Sequence, residues 1–123
     1  MKNVIITGSS SGIGLELVKI FNDKGFKVIS LSRSNLPVKS LNQVKHINFD
    51  ITKEESIEKL IGIVNEEFGK IDILINNAGK LINKPFKKLS KQDFYSVFDV
   101  NVFSVVSLIQ KLLPFFKKDS HVV

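Results

Sequence analysis

The sequence predicts an α/β fold, a doubly wound parallel sheet covered by helices on both faces. Three observations carry this. Short apolar runs alternate with longer segments whose apolar residues recur at helical spacing. The runs are apolar at consecutive positions, as strands buried on both faces of a parallel sheet require. The first run passes at once into glycines and serines and then into a helical pattern, a strand–loop–helix unit at the start of the chain.

Each element follows in order. Lys2 to Thr7, with Val4-Ile5-Ile6 at its centre, reads as a buried strand. Ile13, Leu17, Ile20 and Phe21 then fall on one helical face, and Lys24-Gly25 closes the helix. Lys27 to Ser32 is a second strand, and Ser34 to Gln43 a polar connection containing proline. Val44 to Phe49 is a third strand, ending at Asp50. Thr52-Lys53-Glu54-Glu55 matches a capping box, in which a hydroxyl and a carboxylate satisfy the free N–H groups of a helix start. Ile57, Leu60, Ile61, Val64 and Phe68 form the apolar stripe behind it, and Gly69 ends that helix. Ile71 to Ile75 is a fourth strand, stopped by Asn76-Asn77-Ala78-Gly79. After a loop over 80–89, Ser90-Lys91-Gln92-Asp93 opens a long helix by the same capping logic. Its apolar face includes Phe94, Val97, Phe98, Val105, Leu108, Ile109 and Leu112, and Pro114 ends or kinks it. His121-Val122-Val123 reads as the opening of a fifth strand.

Right-handed crossovers leave few topologies for this order, and a Rossmann-type sheet leads them. No repeat, low-complexity tract or second domain interrupts residues 1–123. With 43% apolar and 24% charged residues, the chain has the composition of one globular domain. It holds no cysteine, which excludes disulfides and thiolate metal or redox sites. His46 and His121 have no metal-ligand spacing. No apolar run approaches the roughly 20 residues of a membrane span, and the first residues lack the pattern of a signal peptide. These features lead to the expectation of a cytoplasmic protein with no membrane partner. The net charge of +6 comes from dispersed lysines, the nearest cluster being Lys84, Lys87, Lys88 and Lys91. A solvated basic surface, and no nucleic-acid partner, is the expectation. Arg33 is the only arginine.

The first strand-to-helix turn reads Thr7-Gly8-Ser9-Ser10-Ser11-Gly12-Ile13-Gly14. A phosphate-binding turn needs a sharp bend, a backbone bare of side chain where it meets the anion, and a close helix–strand contact. Gly8, Gly12 and Gly14 can fill these needs. The helix start supplies N–H groups and a positive dipole end, and Ser9, Ser10 and Ser11 add hydroxyls. The alternative is an ordinary loop rich in glycine and serine.

The spacing T-G-x-x-x-G-I-G resembles that of the short-chain dehydrogenase/reductase family. Asn76-Asn77-Ala78-Gly79 reproduces the family's N-N-A-G after the fourth strand, and Ala78 is the only alanine in the chain. Asp50 at the end of the third strand and Asn101 in the long helix complete four matches in order. The resemblance spans the whole chain, and the chain covers about the first half of a typical member.

The resemblance implies that the loop, with Ile13, holds the pyrophosphate of a nicotinamide dinucleotide. It implies that Asp50 meets the adenine amino group with Ile51 beside the ring. Asn77, Ala78 and Gly79 would line the adenosine ribose side. Read alone, Asp50 fits a solvated strand-end aspartate equally well. The end of the second strand bears on the choice of cofactor. An acidic residue there accepts from a ribose 2′-hydroxyl, whereas arginine accommodates a 2′-phosphate. Leu31-Ser32-Arg33-Ser34 holds no acid, and Arg33 stands 19 residues beyond Gly14. Its planar fork can grip a phosphate bidentately, which lysine cannot do. The expectation is NADP(H) over NAD(H), with Arg33 and Ser32 at the phosphate; an arginine pointing into water is the alternative.

For chemistry, the resemblance implies reversible hydride transfer between the cofactor and a small carbonyl or alcohol substrate, assisted by Tyr, Lys, Ser and Asn. Asn101 fits the last, where the family's asparagine holds a helix irregularity. On its own, Asn101 falls on the stripe of Val97 and Val105, where a polar side chain needs a reason, and a buried amide satisfied by a neighbouring loop is the alternative. The family's Ser and Tyr-x-x-x-Lys lie beyond Val123. The one tyrosine, Tyr95, is followed at the next helical turn by Asp99, which opposes a phenolate. The chain is thus expected to be the cofactor-binding part of an oxidoreductase, lacking the C-terminal part and inactive alone. A nucleotide-binding or interaction module without chemistry is the alternative class, and a flavodoxin-like fold a third, against which N-N-A-G argues. The long apolar helix leads to the expectation of a homo-oligomer, and Leu81, Pro85 and Phe86 are read as one rim of a substrate pocket.

Overall fold

The computed structural model describes residues 1–123. Five parallel strands form one sheet: β1 (Asn3–Thr7), β2 (Lys27–Ser32), β3 (Val44–Asn48), β4 (Ile71–Ile75) and β5 (Phe116–Val122). Their order is β3-β2-β1-β4-β5. The chain winds outward from β1 through α1 (Gly12–Asp23) to β2 and β3. It then returns through α2 (Glu54–Glu67) to β4 on the other side of β1. That reversal opens a crevice at the carboxyl ends of β1 and β4, the switch point of a doubly wound sheet.

All five residues of β1 are buried, because its alternate side chains face helices on opposite sides. Val4 and Ile6 join Val28 and receive Val18 of α1. Ile5 joins Ile29, Leu31 and Leu74 and receives Leu60 and Val64 of α2. The same face receives Leu108 and Leu112 of a later helix, α4 (Ser104–Leu112). Each fully buried leucine contributes about 1.5–3 kcal/mol by leaving water.

The buried face of α1 is shifted from the expected one: Leu17 and Phe21 pack against the cluster of Val4, Ile6 and Val28 as expected, but Ile13 and Ile20 do not. Gly14 and Val18 are its buried residues, while Ile13 and Ile20 are 74% and 47% exposed. The helix turns its smallest residue to the sheet because there it must approach the backbone of the glycine loop.

The helix after residue 90 is built in sections. α3 (Lys91–Phe98) passes into a π turn over Asp99–Phe103, then α4, then a single 3-10 turn at Leu113–Phe115 containing Pro114. The wide turn shifts the register, so the expected single stripe divides. Leu108 and Leu112 are buried, but Phe94 and Phe98 are exposed. Taken together, Lys91–Phe115 is long and apolar enough to cross a membrane by length and composition. The reading of uninterrupted runs missed this, because Asp99, Asn101 and Gln110 divide the segment.

Two further expectations are corrected. At the start of α2 no side chain caps the helix, and Lys53 occupies the N-cap. Thr52 donates its hydroxyl backward to Asp50 Oδ1 at 2.7 Å, so it is not available to α2. β5 begins at Phe116, earlier than the apolar signal at His121. Its middle is polar and its register against β4 shifts between Ile71 and Ile73. Ser120 bridges the irregularity: its hydroxyl donates to the Ile71 carbonyl at 2.6 Å and accepts from the Lys117 N–H at 2.8 Å.

Candidate functional site

A cleft of about 770 Å³ opens at the carboxyl ends of the strands. Its floor is the turn after β1. Gly8 has φ +64 and lies so close to the segment after β4 that a Cβ would come within 2.8 Å of Ala78 Cα. A Cβ on Gly14 would overlap the Gly8 carbonyl oxygen, so only glycine lets α1 start this near the strand. Gly12 has φ +53, and nothing lies where its side chain would be. The three glycines thus give a sharp bend, a close contact and a bare backbone.

Side chains fix the loop from both sides. Ser9 is fully buried; its N–H donates to the Leu31 carbonyl at 3.2 Å, and its Oγ lies 2.6 Å from Ser30 Oγ. On the other side, Thr7 Oγ1 accepts from the backbone N–H groups of Asn77 and Ala78 at 3.1 and 3.0 Å. Asn77 Nδ2 donates to the Gly8 carbonyl at 3.0 Å. The N-N-A-G segment therefore locks the glycine loop onto β1. Ser11 stands at the N-cap of α1 without a side-chain capping bond. The start of α3, by contrast, is closed by a reciprocal Ser90–Asp93 capping box.

The structure brings most of the expected residues together. Gly8, Ser10, Ser11, Ser32, Arg33, Asp50, Ile51, Asn77, Ala78 and Gly79 all line the cleft. Gly12 and Gly14 shape the loop without lining it, and Ile13 points into solvent. Arg33 is exposed at the end of β2, across from Asp50 at the end of β3. The Thr52 hydroxyl bond holds the Asp50 carboxyl below the ordinary carboxylate range. Burial opposes this, and the Thr52 N–H, Lys53 and Arg33 assist it. Asp50 is thus an ionised acceptor at neutral pH.

Asn101 does not sit on the buried stripe. The π turn carries it to the surface beside the segment after β4, where its amide brackets one residue: Oδ1 accepts from Lys80 N and Nδ2 donates to Lys80 O, both at 2.8 Å. It is a helix irregularity tied to the Gly79–Lys80 backbone. Leu81 and Phe86 are 88% and 85% exposed, and neither they nor Pro85 line the cleft.

Other contributors were not anticipated. Phe49, Ser34 and Thr52 form the wall beneath Arg33 and Asp50, and Lys80 and Ser96 line the far end. Lys80 Nζ donates to Ser96 Oγ at 2.5 Å. The positions of these contributors gave a partial signal: Ser34, Phe49 and Thr52 flank Arg33 and Asp50, and Lys80 follows Gly79.

A parallel sheet of this order with a ligand cleft at its switch point defines the nucleotide-binding α/β class. The short chain dehydrogenase family profile matches residues 2–122, and the chain belongs to that family. An uncharacterised oxidoreductase of Staphylococcus saprophyticus is 37% identical over 124 residues, which is 95% of this chain and 50% of that protein. The structure of 4-hydroxyisoleucine dehydrogenase complexed with NADH aligns with a TM-score of 0.80 at 34% identity, over 92% of this chain and 48% of that one. A short chain dehydrogenase from Leptospira borgpetersenii with bound NAD+ gives 0.82 at 34%, over 89% and 44%. The chain spans about half the length of the relatives it matches.

Proposed function

We propose that residues 1–123 form one dinucleotide-binding domain, the cofactor-binding part of an NADP(H)-dependent oxidoreductase that interconverts a small carbonyl and its alcohol. The observation that carries this reading is the joint placement of the glycine loop, Asp50 and Arg33 around one cleft. The cradle fits a dinucleotide: the bare Gly12 backbone and the start of α1 take the pyrophosphate, with Ser10 and Ser11 donating beside it. Asp50 accepts from the adenine amino group, and Ile51 packs against the ring. Arg33 takes the 2′-phosphate, with no carboxylate at the end of β2 to repel it. When bound, the nicotinamide supplies or accepts a hydride.

Of the groups that would assist that transfer, this chain contributes Asn101, which fixes the backbone around Lys80. The tyrosine–lysine pair of the family is not among these residues, so the 123 residues bind cofactor without turning it over. The exposed apolar side chains of α3 and α4, including Phe94, Phe98 and Val106, support self-association.

Displacement of NADPH fluorescence tests the cofactor assignment. Adenosine 2′,5′-bisphosphate is expected to displace NADPH at least about tenfold more effectively than ADP, since a charge-assisted phosphate contact separates them. Equal displacement by the two contradicts a 2′-phosphate site.

A further inference from the structure

The strand beside Arg33, β3, carries polar side chains on a face it shares with β2. Parallel register sets His46 of β3 opposite Ser30 and Asn48 opposite Ser32, so these side chains share one face of the sheet. His46 Nδ1 lies 3.0 Å from Ser30 Oγ, and Nε2 lies 3.0 Å from the Ser34 carbonyl oxygen. With the ring proton on Nε2, that nitrogen donates to Ser34 and Nδ1 accepts from the Ser30 hydroxyl. Ser30 Oγ also lies 2.6 Å from Ser9 Oγ of the glycine loop, whose hydroxyl in turn reaches the Leu31 carbonyl at 3.0 Å. Two residues further along β3, Asn48 Nδ2 donates to the Arg33 carbonyl at 3.4 Å and to Asn35 Oδ1 at 3.1 Å. Ser32 adds a hydroxyl bond to the Ser34 carbonyl at 2.7 Å.

Ser9 and Ser30 are fully buried, where each hydroxyl requires a hydrogen-bond partner. Their hydroxyls are satisfied by a polar chain running from the glycine loop across β2 to β3. The chain ends on the carbonyl of Ser34, next to that of Arg33. β3 therefore holds two consecutive carbonyls of the turn that presents the guanidinium, and ties that turn to the loop at the other end of the cleft.

We infer that His46 and Asn48 are positioning residues for cofactor choice: by pinning the backbone of residues 33–35 they hold Arg33 where a ribose 2′-phosphate docks. This rests on the reading of Arg33 given above. Neither residue lines the cleft, so each acts through the turn and not on the cofactor.

The test is a set of binding titrations of the full chain with NADPH and with NADH, each variant checked by thermal unfolding. His46→Ala is expected to weaken NADPH binding about three- to tenfold, the worth of a lost positioning hydrogen bond. NADH binding should stay within about twofold, since NADH lacks the phosphate that Arg33 takes. His46→Gln, which keeps a donor toward Ser34, should recover part of the loss. Asn48→Ala, at an exposed position, should act in the same direction and stands in should His46→Ala fail to fold. In an Arg33→Ala background, His46→Ala should no longer alter the NADPH-to-NADH ratio. Equal losses for both cofactors, or an unchanged ratio, overturn the inference while leaving Arg33 in its role. An unchanged ratio in Arg33→Ala alone overturns the reading of Arg33, and this inference with it.

Discussion

Gly14 shows how one hydrogen atom decides the site. Its absent Cβ leaves room for the Gly8 carbonyl, and that contact sets where α1 begins. Gly14→Ala is expected to destabilise the fold by about 1–3 kcal/mol, as overpacking does, and to abolish cofactor binding. Thermal unfolding and an NADPH titration check the two effects. Gly12→Ala meets no neighbour, so its cost is confined to the strain of a positive φ and to the anion contact. The glycines were legible in the sequence because their spacing follows a strand and precedes a helix. The place of Arg33 at the cleft was legible because it ends a strand of the sheet. Ile13 was misplaced and Asn101 was put on the wrong face. A single helical period cannot register a glycine pressed to a loop or a turn wider than the α-helix.

At the scale of elements, two helix starts with similar sequence signals behave differently. Ser90 and Asp93 close a reciprocal box at 3.1 and 3.0 Å. Thr52 leaves α2 uncapped and serves Asp50. Ser90→Ala is therefore expected to cost about 1 kcal/mol of stability. Thr52→Val should cost α2 no capping bond and should instead raise the Asp50 carboxyl toward its ordinary value. Chemical denaturation reads the first, and NMR titration of the Asp50 carboxyl the second. The strands and helices themselves were legible in place and order, while the stripes of α1 and of the helix after residue 90 were legible only in part, because Gly14 and the π turn redirect them. β5 was legible only at its end: Lys117, Lys118 and Asp119 give it a polar middle, and its pairing depends on Ser120 and on backbone bonds.

Over the whole molecule, the two ends of the chain are joined through Asp72. Its carboxylate accepts from the Asn3 N–H at 2.7 Å and pairs with Lys117 Nζ at 2.5 Å, linking β1, β4 and β5. Burial pushes this carboxyl up, but the Lys117 bond, the Asn3 N–H and the nearby lysine charges bring it below its ordinary 3.8. A carboxyl lowered in the folded state stabilises above its unfolded value, and the contribution is lost as pH falls through the folded value. Thermal stability should therefore hold from pH 7 to about 5 and decline through 4 and below. Asp72→Asn should decline less steeply over the same range, and melting curves against pH decide it. The doubly wound topology was legible from element order, because right-handed crossovers leave few alternatives. The exposed apolar side chains of α3 and α4 predict a dimer or larger species by light scattering, and a monodisperse monomer at tens of micromolar contradicts that expectation.

Calorimetric titration of the chain with NADPH and NADH, beside Arg33→Ala, tests the central claim most directly. The glycine loop and Arg33 together predict that NADPH binds more tightly than NADH. The substitution should weaken NADPH by about 10- to 100-fold, the range of a charge-assisted phosphate contact, and leave NADH nearly unchanged. Equal binding of the two cofactors, or a preference that survives the loss of Arg33, would contradict the assignment.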